Sequence, residues 1–75
     1  MNIRKLIDKM KRQPNGVRFE EAVKVLNFYG FRLVRQKGSH AHFLHDSGEL
    51  ITIKVDNPLK KVYVMDILQR IGEKE

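Results

Sequence analysis

The residues best suited to chemistry lie together in one short segment of the chain. The segment reads Arg35-Gln36-Lys37-Gly38-Ser39-His40 and continues into Ala41-His42-Phe43. Imidazole is the side chain whose ordinary pKa lies nearest neutrality, and glycine lets a backbone turn where other residues would clash. A histidine, a hydroxyl group and two cations around one glycine suit the handling of a phosphate group at neutral pH.

Each of these groups could take part in the cleavage of RNA. The reaction removes a proton from a 2′-hydroxyl, stabilises charge on a phosphorane and protonates the leaving 5′-oxygen, and imidazole performs either proton transfer. His40 is therefore the candidate catalytic residue. Arg35 and Lys37 could neutralise the phosphate, and the backbone N–H groups of Gly38 and Ser39 could donate hydrogen bonds to its oxygens. A lone histidine can also occur on an exposed strand that has no catalytic function. Residue types alone therefore leave the catalytic role of His40 open.

The three histidines raise the alternative of a metal site. Strand geometry places His40 and His42 on one face and His45 on the other, so at most two could meet one ion. The sequence offers no evident third ligand. We therefore predict neither a bound metal nor another cofactor, and we interpret His42 and His45 as residues of the sheet surface.

The composition predicts one small basic domain that comprises residues 1–75. The chain has 75 residues, no cysteine and a net charge of +6, and a chain this short cannot divide its core in two. Lack of cysteine excludes a disulfide framework and fits the reducing cytoplasm. No apolar stretch approaches the ~20 residues of a membrane span. We expect a cytoplasmic protein without a membrane segment.

The positive charge is concentrated in the first half of the chain. Residues 1–37 carry ten lysines and arginines against three acidic residues, whereas residues 38–75 carry five against six. This asymmetry predicts a basic face made by the first helices and the first strand, as a polyanion-binding protein would have. An ordinary lysine-rich surface would give the same count.

Residue spacing predicts three helices and three strands in the order α-α-β-β-β-α. Apolar residues at helical intervals indicate helices over residues 2–12, 18–29 and 62–72. Alternation with a period of two indicates strands over residues 31–35, 40–45 and 49–55. Short glycine-containing loops between them predict an α+β fold with an antiparallel three-stranded meander, covered by helices on one face. We expect His40 and His42 on the open face and residues 73–75 to be disordered.

A longer set of residues resembles the signature of the HicA toxins, the small ribonuclease partners of HicB antitoxins. The resemblance implies a fold like that of a double-stranded RNA-binding domain, and a metal-independent mRNA endonuclease whose HicB-type antitoxin covers the active site. It also implies that His40 is the catalytic histidine, with Gly38 and Ser39 as its motif neighbours. The residues that carry it are Tyr29-Gly30-Phe31, Val34-Arg35-Gln36-Lys37-Gly38-Ser39-His40 and Phe43, with further similarity at Glu49-Leu50-Ile51-Thr52-Ile53, Tyr63-Val64 and Ile67-Leu68.

The chain departs from the HicA pattern at two places. Many members carry a second histidine where this chain has Ala41, and many have a Pro-x-His stretch where it reads Ile53-Lys54-Val55-Asp56. Both departures leave the second proton-transfer group unassigned.

Two readings without catalysis compete with a nuclease. A non-catalytic RNA-binding module of the double-stranded-RNA-binding-domain type would use the same fold and basic face. A protein-binding domain would use Phe28, Tyr29 and Tyr63 as anchors, although aromatic residues at helix positions more often belong to the core.

Overall fold

Three helices and three strands make up the computed structural model, which describes residues 2–72. Their order confirms the predicted α-α-β-β-β-α arrangement. The first strand runs to Lys37, two residues beyond its predicted end, and the charged tail lies outside the described residues. The elements are α1 (Ile3–Arg12), α2 (Phe19–Phe28), β1 (Phe31–Lys37), β2 (His40–His45), β3 (Leu50–Lys54) and α3 (Lys61–Arg70).

Local capping fixes the ends of the first two helices. At the start of α1, the Oδ1 atom of Asn2 accepts a hydrogen bond from the backbone N–H of Arg4 at 2.8 Å. At the start of α2, the Glu21 carboxylate accepts from the backbone N–H of Arg18 at 3.0 Å. These bonds satisfy amide groups that have no partner inside the helix. Beyond α2, Gly30 has a φ of +90°, and a Cβ there would lie 3.0 Å from the Nε2 atom of His45.

The sheet is an antiparallel meander in which β2 is the central strand. Its inner face packs on the helices through Ala41, Phe43, Ile51 and Ile53, all of which are buried. Directly opposite residues share a face, so the residues between them in sequence form the uncovered side, which we call the open face. The predicted single-sided covering is confirmed. Among the described residues, no helix has both the length and the apolar character needed to cross a membrane.

A β-bulge interrupts the pairing of β1 with β2. Leu33 pairs with Phe43, but Arg35 already pairs with His42, so Val34 is an extra residue without a partner on β2. A bulge of this type exchanges the faces of the residues that follow it. Strict alternation would place Arg35 and Lys37 on the same side as Leu33, toward the helices. The bulge turns both of them to the open face.

The aromatic residues of the helices divide between core and surface. Tyr29 and Tyr63 pack partly buried against the core. Phe28 is 65% exposed, so the expectation that helix aromatics belong to the core is wrong at this position. Its ring instead contacts that of Tyr29 edge to face, with the centroids 5.2 Å apart.

Candidate functional site

His40 is the first residue of the central strand and is exposed on the open face. It pairs with Lys37 on β1 and with Lys54 on β3, so a lysine stands on each side of the imidazole. Neighbouring strands are about 4.8 Å apart, and directly opposite Cβ atoms are about 5 Å apart. The three side chains therefore form one row across the sheet, with the histidine at its centre.

The Gly38-Ser39 turn positions this row. Lys37 belongs to β1, so the loop has two residues and not the three predicted. The φ of Gly38 is +59°, which the first central position of a type II′ turn requires, and nothing within 4 Å would meet a Cβ there. Glycine is thus needed for its backbone conformation and not for space. The Ser39 carbonyl accepts a 2.6 Å hydrogen bond from the Val55 N–H, which ties the turn to the end of β3.

The amide groups of this turn have no acceptor among the residues that the structure describes. Within residues 2–72, the N–H groups of Gly38 and Ser39 donate no hydrogen bond to another residue. The Gln36 side chain donates to the Gly38 carbonyl at 3.4 Å and so leaves these N–H groups open. Both N–H groups can therefore donate to a phosphate oxygen.

A second row lies beside the first on the open face. Arg35 on β1 and Thr52 on β3 both pair with His42. The Nδ1 atom of His42 lies 2.9 Å from the Thr52 hydroxyl, and this hydrogen bond fixes the orientation of a half-buried ring. His42 is held by its neighbours, whereas no described residue makes a side-chain hydrogen bond to the His40 imidazole.

Three cations of the open face lack a carboxylate partner. Within residues 2–72, Arg35, Lys37 and Lys54 form no salt bridge, and we call these three residues the cation cluster. Some cations elsewhere are paired, such as Arg18 with Glu20 and Arg70 with Glu49, whereas Lys24 and Lys61, like the cluster, form no salt bridge within residues 2–72. Arg32 also belongs to the open face by its register, but its guanidinium donates to the Asn27 carbonyl at 2.9 Å and so binds the end of α2.

The positive charge does not form the single face expected from the sequence. Helix α1 packs on α2 and α3, on the helical side of the sheet. Its cations and those of β1 therefore occupy opposite sides of the molecule. The comparison of charge between the two halves of the sequence also missed Lys54, which belongs to the half with a net negative charge. Alternation with Ile51 and Ile53 was the signal that could have placed Lys54 and Thr52 on the open face.

The histidines divide as strand geometry predicts. His45 points to the other face from His40 and His42, where its ring lies 5.0 Å from that of Phe31 and its Nδ1 accepts from the Ser47 N–H at 2.9 Å. His45 is thus a packing residue beside Gly30 and not an exposed residue of the sheet. No three histidine, aspartate or glutamate residues within the described part of the chain are grouped so that they could hold a metal ion.

Chemically, the open face offers one exposed imidazole, three unpaired cations and two free amide donors around the same turn. That arrangement can hold a phosphodiester and accept a proton from a hydroxyl group next to it. The family model for the HicA toxin of bacterial toxin–antitoxin systems matches residues 19–73 of the chain. Comparisons with curated proteins and with solved structures return no match.

Proposed function

Because that match covers most of its length, the chain belongs to the HicA toxin family of bacterial toxin–antitoxin systems, and we propose that it is a metal-independent mRNA endoribonuclease. His40 is the proposed catalytic residue. Arg35, Lys37, Gly38 and Ser39 are the proposed contacts to the RNA backbone. A HicB-type antitoxin is the proposed partner that neutralises the toxin. Because mRNA is the proposed substrate of this chain, we propose that the activity is cytoplasmic.

The environment of His40 is the observation that supports this proposal. The imidazole is exposed at the end of the central strand, between two lysines that have no acidic partner in residues 2–72. Unpaired cations attract the phosphate groups of RNA, and an exposed imidazole can exchange protons with a hydroxyl group of RNA that is bound there. A core histidine would be buried, and a metal-binding histidine would lie close to other metal ligands.

The groups of this face supply the base and the charge stabilisation that the reaction needs, and water supplies the proton for the leaving 5′-oxygen. The 2′-oxygen of the RNA attacks the adjacent phosphorus, the bond from phosphorus to the 5′-oxygen breaks, and the products carry a 2′,3′-cyclic phosphate and a 5′-hydroxyl. His40 takes the proton of the 2′-hydroxyl. The cation cluster and the turn amides stabilise the charge that develops on the non-bridging oxygens. Replacing the 2′-hydroxyl with hydrogen at the cleaved position should therefore prevent the reaction.

The open face also explains how a partner protein could inhibit the toxin. None of the three helices covers this side of the sheet, and His40 lies within it. An antitoxin that binds the open face would exclude RNA from the imidazole and from the cation cluster at once. A standard protein interface covers about 800 Å² on each partner. An interface of that size would cover the open face of a sheet of three short strands.

Substitution of His40 tests the proposal. His40→Ala should lower the cleavage rate by about 10²–10⁴-fold, the usual contribution of a general acid or base. Because the side chain is exposed, the melting temperature and the RNA affinity should change little. His42→Ala is the matched control on the same face and should lose less than about tenfold. If His40→Ala retains more than about a tenth of the wild-type rate, the assignment of His40 is wrong.

An RNA-binding module without catalysis is the second candidate, and the cation cluster favours it equally. Such a protein would retard RNA in a gel without shortening it. Product formation by the wild-type chain, lost in His40→Ala, distinguishes the two functions.

A further inference from the structure

We propose that Lys54 is a second catalytic residue, which binds the non-bridging oxygens of the scissile phosphate and stabilises the phosphorane. This inference rests on the proposed function of His40. Lys54 lies at the place where many family members have a different stretch of sequence, and its role here follows from the position of its strand.

The register of β3 fixes Lys54 beside His40. The preceding pair in the ladder is Ala41 with Ile53, and both of these side chains are fully buried. A slip of one residue would bring Ile53 to the open face and carry a lysine into the core, at a large cost. The 2.6 Å hydrogen bond from Val55 to Ser39 closes the strand end immediately after Lys54. Lys54 therefore cannot leave the row that contains His40.

The charges around Lys54 favour an anion between the strands. Lys54 is half-buried and Lys37, on the far side of His40, is exposed, and neither makes a salt bridge with any carboxylate of residues 2–72. The two lysines are about 10 Å apart, which corresponds to two strand spacings. Unpaired like charges on one face oppose folding, and a bound phosphate would compensate both of them.

Lys54 supplies charge stabilisation, whereas His40 supplies proton transfer. While the bond from the 2′-oxygen to phosphorus forms and the bond to the 5′-oxygen breaks, negative charge grows on the non-bridging oxygens. The Lys54 ammonium donates hydrogen bonds to these oxygens and keeps its own protons throughout. The proton of the 2′-hydroxyl passes to His40, and the 5′-oxygen takes a proton from water. Lys37 and Lys54 would thus hold the phosphate from opposite sides.

The test compares three lysine variants of the full chain in single-turnover and steady-state cleavage of one RNA. Lys54→Met removes the charge but keeps an apolar stem of similar length, Lys54→Arg keeps the charge, and Lys24→Met is the control on the exposed side of α2. We expect Lys54→Met to lower kcat about 10²-fold, whereas the loss of one phosphate contact should raise KM by less than about tenfold. Lys54→Arg should restore activity to within about tenfold of the wild type, and Lys24→Met should match the wild type.

Several outcomes would overturn the inference. If Lys54→Met raises KM but leaves kcat unchanged, Lys54 only binds RNA. If Lys24→Met loses as much activity as Lys54→Met, the effect belongs to net charge. Should Lys54→Met fail to melt cooperatively, Lys54→Gln is judged by the same two results. If His40→Ala retains more than about a tenth of the wild-type rate, the assignment of His40 itself fails, whereas an inactive His40→Ala beside an active Lys54→Met rejects Lys54 alone.

Discussion

The salt dependence of RNA binding should report the cation cluster directly. Each phosphate that a protein neutralises on a single strand lowers the slope of log K against log salt by about 0.7, because bound counterions are released. Three contacts, from Arg35, Lys37 and Lys54, give a slope of about −2. Affinity should then fall about 20-fold between about 50 mM and about 200 mM salt.

Single substitutions should change this slope by one step. Arg35→Ala or Lys37→Ala should each flatten it by about 0.7. The measurement is fluorescence anisotropy of a labelled single-stranded RNA, made with His40→Ala in the background so that the RNA stays intact. Lys24→Ala, on the helical side, is the control and should leave the slope unchanged.

The same titration separates the two basic surfaces of the molecule. An unchanged slope in both the Arg35→Ala and Lys37→Ala variants would refute the assignment of RNA binding to the open face. If Lys5→Ala and Arg12→Ala on α1 flatten the slope instead, the helical side binds the RNA. A wild-type slope much steeper than about −2 would mean that both surfaces contact phosphates.

Three other predictions follow from the site and from the packing of the helices. RNA cleavage should continue in excess EDTA, since the proposed mechanism uses only protein groups and water; activity that is lost in chelator and restored by a divalent ion would contradict it. Bound antitoxin should protect residues 35–42 from hydrogen exchange and suppress cleavage, and an inhibited complex in which this segment exchanges freely would mean that inhibition is indirect. At the interface of α1 and α2, burial works to raise the pKa of Glu21, but the Arg18 N–H and the Lys9 ammonium, 2.8 Å away, outweigh it and hold the pKa below its ordinary value of 4.5. A pKa lowered by folding stabilises the protein above the unfolded pKa and loses that contribution as pH falls, so Glu21→Gln should cost about 1 kcal/mol at pH 7 and progressively less below pH 4.5 in urea unfolding; an equal cost at pH 7 and in acid would contradict this account.

The arrangement of the three histidines bears on the metal-independent mechanism. His45 is held by Ser47 and packs on Phe31, so it could join His40 and His42 only if β2 were rebuilt. Two histidines on one strand face do not close a structural zinc site by themselves. The chelator experiment remains the test, because it measures the reaction and not the geometry.

Much of the architecture could be read from the chain because it depends on local periodicity. Helix and strand positions follow from intervals of 3.6 and 2.0 residues, and Gly30 and Gly38 mark ends where only a positive φ continues the chain. The alternation around Ala41 and Phe43 placed His40 on the open face, and the structure confirms that placement. The site motif itself is contiguous, so its members were together before any folding was considered.

Tertiary structure decided which side chains join His40. The bulge at Val34 turns Arg35 and Lys37 to the open face, and strict alternation predicts the opposite. The register of β3 brings Lys54, 14 positions further along the sequence, directly opposite His40. Both features arise from pairing between strands, whose energy depends on residues far apart in the chain, so spacing within one strand does not determine them. The sequence by itself determined the histidine and its turn; the sheet determined the charges around them, because only strand pairing sets which residues face each other.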